Sequence, residues 1–123
     1  MGYRSDVAIA MYAVDEKDAP AIKLWLKENF PQKGWDDDAI RWFNRGMIFQ
    51  ANDIKWYELD DEDIKEVMRT LDEFEQLFCE EQDTPEGAYD YIRIGEDDDD
   101  VCQRHMGNAE YLVSLQRSLY IEV

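Results

Sequence analysis

The apolar pattern opens on residues 7–12, Val-Ala-Ile-Ala-Met-Tyr, a short continuous run without breakers that predicts a buried strand. Asp18 ahead of Ala19 and Pro20 is a helix start. The acid can accept from unpaired first-turn amides, and the proline needs no donor there. Ile22, Trp25, Leu26 and Phe30 follow at helical spacing, and Pro31 with Gly34 closes the run. A three-turn amphipathic helix is the expectation. Residues 39–57 then read as β structure, with Ile40, Trp42 and Phe43 on one strand. Asn44, Arg45 and Gly46 supply turn chemistry, and Met47, Ile48, Phe49 and Gln50 return. Ile54, Lys55, Trp56 and Tyr57 continue or kink that second strand.

The most regular stripe comes next. From a cap at Asp60 or Asp61, the residues Ile64, Val67, Met68, Leu71, Phe74, Leu77 and Phe78 fall on one helical face. Acids crowd its first turn, where the helix dipole favours negative charge. Thr84, Pro85, Glu86 and Gly87 end it. Tyr89, Tyr91, Ile92 and Ile94 mark a further strand, residues 95–100 a hairpin tip, and residues 101–106 the return. Gly107 and Asn108 punctuate before a last strand in residues 115–123. The order is β-α-β-β-α-β with a C-terminal extension of one or two strands, which is the ferredoxin-like order. The expected fold class is α+β, with two helices on one face of a mostly antiparallel sheet. Three prolines, scattered glycines and no internal repeat predict one domain over residues 1–123.

Composition changes the picture in two ways. Four Trp, seven Tyr and five Phe provide core material that an acidic disordered tail lacks. Thirty acids against 13 bases give a net charge of −17, which opposes binding of nucleic acid or an anionic membrane through the bulk field. The surplus is local. Residues 58–100 hold 19 acids and only Lys65, Arg69 and Arg93, whereas residues 1–57 carry nine acids and eight bases.

Candidate chemistry is sparse. Two cysteines, Cys79 and Cys102, do not make a disulfide framework, and a cytosolic, reduced protein is expected. No membrane span or signal peptide is apparent. The aspartates at 36–38 and 97–100 lack the alternating ligand spacing of a calcium loop and read as solvated turns. Cys79, Cys102 and His105 lack zinc-site spacing, so His105 reads as a packing residue of a strand. No activated nucleophile and no glycine-rich phosphate loop occur, and neither catalytic residue, metal nor cofactor is expected. The aromatic set Trp25, Trp35, Trp42, Trp56, Tyr57, Tyr89 and Tyr91 reads mostly as core between sheet and helices, with one or two rings left for an interface.

What remains is an acidic surface on the second helix and the following hairpin, with Glu62, Asp63, Glu66, Asp72, Glu73, Glu75, Glu80 and Glu81 on the outer helix face. Solubility of a small domain is served by a net charge of roughly 2–8, so a surplus this large and this local points to a basic partner. Carboxylates along a helix can imitate nucleic-acid phosphates and occupy a Lys/Arg groove. The expected contacts are Asp60, Asp61, Glu62, Asp63, Glu66, Asp97, Asp98, Asp99 and Asp100.

Four segments carry a resemblance: Met-Gly-Tyr-Arg-Ser-Asp-Val at 1–7, Ile-Lys-Trp-Tyr at 54–57, Tyr-Ile-Arg-Ile-Gly-Glu at 91–96 before an acidic run, and Arg-Ser-Leu-Tyr-Ile-Glu at 117–122. Together they resemble a family of small bacteriophage proteins that begin M-G-Y-R-S-[DE]-V and share an acidic tail half. The chain departs from that pattern after Tyr57, where relatives have a turn-rich stretch and this sequence runs into Leu59, Asp60 and Asp61. The resemblance implies a phage setting and carries no catalytic residues across. It favours a non-catalytic inhibitor of a host defence complex, of anti-CRISPR or anti-nuclease type, acting in the cytoplasm of the infected bacterium. The expected partner is a basic host protein or ribonucleoprotein, without direct nucleic-acid or membrane contact. A sponge for a nucleotide immune signal is the alternative, relying on Arg4, Arg41, Arg45, Arg93, Arg104 and Arg117 for phosphate. A phage housekeeping or assembly role without a host target is a third. An open strand edge offers a route to a homodimer.

Overall fold

Strand β1 (Ser5–Ala13) is the axis of the molecule. The computed structural model describes residues 5–31, 39–54, 62–79, 86–95, 101–106, 113–115 and 119–121. After β1 come α1 (Ala19–Asn29), β2 (Ile40–Phe43), β3 (Gly46–Ile54), α2 (Glu62–Phe74), β4 (Gly87–Ile94), β5 (Val101–Met106), β6 (Val113–Leu115) and β7 (Leu119–Ile121). The first five strands form one sheet in the order β2-β3-β1-β4-β5, and every neighbouring pair is antiparallel. Each helix therefore joins two parallel strands across a strand inserted between them, the ferredoxin-like arrangement that the order of elements predicts. The extension divides: β5 widens the sheet, whereas β6 and β7 form a separate two-stranded hairpin.

Alternation along β1 sorts the core into two faces. Val7, Ile9, Met11 and Ala13 meet the helices with Met47, Phe49, Tyr89 and Tyr91. Helix α1 contributes Ile22 and Leu26, with Phe30 at its end, and α2 contributes Ile64, Val67, Leu71 and Phe74. On the reverse face Ala8, Ala10, Tyr12, Ile48, Ala88 and Ile92 are also buried. β1 is flanked by β3 and β4, so β6 and β7 can approach it only over a face, and the helices already hold the other. Their Cα atoms come within 8 Å of β1. Stacked sheets usually lie about 10 Å apart, and the alanines at 8, 10 and 88 allow this closer approach.

Two local expectations are corrected. Asp18 adjoins α1 but makes no side-chain cap; Asp15 accepts instead from the Lys17 amide at 3.1 Å, starting the short 3-10 turn Glu16–Asp18 that leads into the helix. Leu77 is exposed although it shares a spacing with the core stripe, because Glu75–Cys79 is a π-helical turn. The wider turn advances the phase by about one residue and puts Cys79 inward in its place. Trp42 is on the sheet margin and exposed, with the Lys27 ammonium 5.2 Å from its ring, whereas Trp25 is half-buried against Phe74 and Phe78. Tyr89 and Tyr91 are core as expected, while Trp35, Trp56 and Tyr57 lie outside the described residues.

Candidate functional site

Strand direction decides which loops share an end of the sheet. Ser5 pairs with Ile54 and Asp6 pairs with Ile94, which in turn pairs with Val101. The chain thus leaves β3 and β4 at the Ser5 end and re-enters β5 there. Helix α2 runs away from that end, since its last residue, Phe74, meets Gly87 at the far end of β4. The connections on either side of residues 58–63 and 96–100 are consequently anchored at one end of the sheet, although more than 30 residues separate these runs in sequence.

Of the expected contact residues, Glu62 and Asp63 stand in the first turn of α2. Glu66 is exposed one turn later and 3.5 Å from Arg69. Asp60, Asp61, Asp97, Asp98, Asp99 and Asp100 lie outside the described residues, as do Glu80 and Glu81. The outer face of α2 is less uniformly acidic than expected. Lys65 and Arg69 are exposed among Glu66, Asp72 and Glu73, and Asp72 is held by Arg104 at 3.0 Å. Glu75 does not face out. Four residues after Leu71, it lies on the core side of the helix and accepts a 2.5 Å hydrogen bond from the Tyr89 hydroxyl, with Arg104 3.7 Å away.

This Asp72–Arg104–Glu75–Tyr89 cluster ties helix to sheet. Burial, then the hydrogen bond to Glu75, push the Tyr89 phenol well above its ordinary value. Burial alone would lower Arg104, but bonding to Asp72 and to Tyr89 raises it further. The raised phenol makes stability fall with rising pH, since above pH ~10 the unfolded chain releases a proton that the folded chain keeps. Alkaline unfolding monitored by circular dichroism checks this: Tyr89→Phe should show a shallower loss of stability above pH ~10 than the wild type.

A second polar pair lies on the reverse face. Asp90 is fully buried on β4, and its carboxylate is 2.6 Å from Nδ1 of His105 on β5. The sole histidine is thus the partner of a buried acid, which the sequence reading missed. The available signal was an acid inside the apolar strand 87–94 together with one histidine on the next strand. Cys102 faces the helices while His105 faces the hairpin side, so the two cannot share a metal. Cys79 and Cys102 form no disulfide. Among the described residues no group of three or more His, Cys, Asp or Glu is placed to hold a metal, and no helix is long and apolar enough to cross a membrane.

The arginines needed by a nucleotide sponge do not converge among the described residues. Arg41 bonds Gln50 on the outer strands, Arg45 lies over Tyr12, Arg93 is on β4, and Arg104 is engaged by Asp72 and Glu75. Arg4 and Arg117 lie outside them. No protein-family model, curated protein or solved structure matches the chain.

Proposed function

We propose that the chain is a non-catalytic binding protein of the phage anti-defence kind, which inserts the acidic end of its sheet into a basic groove of a host defence complex. The observation that carries this reading is that β3 ends, β4 ends and β5 begins at the Ser5 end of the sheet, and the acidic runs at 58–63 and 96–100 follow those strand ends in sequence. Two acidic runs joined to one end of the sheet offer a multivalent set of carboxylates where a single loop would offer fewer. Such a surface competes for lysines and arginines that otherwise hold phosphates, and its association is fast and salt-sensitive. The ferredoxin-like sheet and its helix-side core supply a rigid mount. The remainder of the chain is close to neutral, so the anionic field belongs to residues 58–100. The site of action would be the cytoplasm of the infected bacterium, with a basic protein or ribonucleoprotein as partner.

The test is titration of the protein against host RNA-guided and restriction nucleases, reading both DNA retention and cleavage. Stoichiometric inhibition that weakens steeply with added salt is expected. Joint reversal of Glu62, Asp63 and Glu66 to lysine should weaken it at least about tenfold, as for loss of close charge pairs across an interface. Inhibition untouched by that reversal would sink the acidic-surface reading.

A further inference from the structure

Antiparallel pairing turns alternate residues of an edge strand outward, and β2 is an edge of the five-stranded sheet. The Gln50 amide donates to the Ala39 carbonyl at 2.8 Å. Ala39, Arg41 and Phe43 therefore direct their backbone groups toward β3, and Ile40 and Trp42 direct theirs away from it. Among the described residues no strand pairs with that outer side. Natural edges are usually blunted by a charge, a proline or a bulge. Strand β2 has no proline and no register shift, and its one charge, Arg41, is drawn back across the sheet to Gln50 at 2.9 Å. Of the large hydrophobic side chains exposed among the described residues, Trp42 alone lies on a strand. On β5, the other edge, no described large hydrophobic side chain is exposed.

We propose that β2 pairs antiparallel with β2 of a second copy of this chain, joining two five-stranded sheets about a two-fold axis at Trp42. Two constraints limit the register. Opposed side chains must share a face, and the strands must meet through their outward residues. Centring on Arg41 satisfies both but sets two guanidiniums directly opposite each other, which is destabilising. Centring on Trp42 instead pairs Trp42 with Trp42 of the second copy, Ile40 with Asn44, and Arg41 with Phe43. The outward amide and carbonyl of Trp42 then gain partners, the exposed indole is covered by its twin, and each guanidinium faces a ring instead of a charge. The edge is thus complementary to itself, which selects a second copy as its occupant. Residues 39–52, which hold β2 and most of β3, are the longest run in the chain without an acid, so no carboxylate lies between the paired strands. A two-fold contact uses the same strand on both copies, so association stops at a dimer. The contact involves no host component, so its failure and that of the inhibitor reading are separable.

Sedimentation velocity of the protein alone, across a concentration series, should show a monomer–dimer equilibrium and nothing larger. Added salt should tighten the dimer, because two copies of net charge −17 repel through their bulk field. Trp42→Lys sets a charge at the symmetry axis and should weaken dimerisation at least about tenfold. Its circular dichroism should match the wild type, since the side chain it replaces is exposed. Cross-linking in a Cys102→Ser background reads the register. Residues of a hydrogen-bonded antiparallel pair have Cα atoms about 5.5 Å apart, within disulfide reach, so Trp42→Cys should form a disulfide dimer under a mild oxidant. Arg41→Cys should not, because its twin lies on the diagonal, about 7–8 Å away. A wild type that stays monomeric overturns the proposal, as does a dimer that salt dissociates. So does a Trp42→Lys variant that dimerises like the wild type, or an Arg41→Cys variant that cross-links as readily as Trp42→Cys.

Discussion

Phe74→Ala is expected to lower the stability of the fold by about 3–5 kcal/mol, the usual range for removing a fully buried phenylalanine. Phe74 has no exposed surface and is the last residue of α2 before the π turn. Its ring lies 5.1 Å from Phe78 and 6.0 Å from Trp25, which joins both helices. Its far edge would be 2.9 Å from a Cβ placed on Gly87, so helix and β4 close on each other here without spare volume. The loss should appear as a fall of roughly 10–20 °C in the thermal midpoint for a domain of this size. Leu77→Ala, by contrast, should cost under about 0.5 kcal/mol, as an exposed substitution does. Gly87→Ala should be only partly relieved in the Phe74→Ala background, since the ring it would strike is gone but the Phe78 Cβ still stands 2.9 Å away. Equal losses for Phe74→Ala and Leu77→Ala would contradict the π turn.

Gly46→Ala is the second large effect, expected at about 3 kcal/mol, the upper end for overpacking. Gly46 opens β3 opposite both Phe43 and Tyr12. A Cβ there would run into the Met11 carbonyl and stand 2.6 Å from the Tyr12 Cα. These are backbone atoms of the central strand, and no rotamer change moves them aside. The adjoining turn depends on the same closeness, since the Ala13 amide donates to the Arg45 carbonyl at 2.8 Å. Urea denaturation measures the cost. Hydrogen exchange should show the loss concentrated in the β1–β3 amides, because the strain enters at their first pairs. A change in midpoint no larger than that of Leu77→Ala would show that the strand opens without cost.

The same two residues separate what is legible in a sequence from what is not. Gly46 reads correctly as a turn neighbour, but its intolerance of a side chain comes from β1, 34 residues earlier. Phe74 and Leu77 carry the same apolar signal, and only the extra residue in Glu75–Cys79 sends one in and the other out. Glu75 is different: its charge assigns it to the outer acidic face, but its spacing of four from Leu71 puts it on the core side, where it bonds Tyr89. At the candidate site the list of acids is legible from sequence, with Glu66 exposed on α2 as expected. The pairing of Asp90 with His105 is not, because strand register joins residues 15 apart without a trace in either neighbourhood.

By itself the sequence determines the order of elements, the core faces of both helices and the segment that holds the excess charge. These depend on local periods, caps and composition, which are properties of neighbours along the chain. Only the tertiary structure decides that both faces of the sheet are covered, that a π turn rephases the end of α2, and that β3 and β4 end where β5 begins. Those outcomes depend on strand direction and register, which follow from packing between residues far apart in sequence.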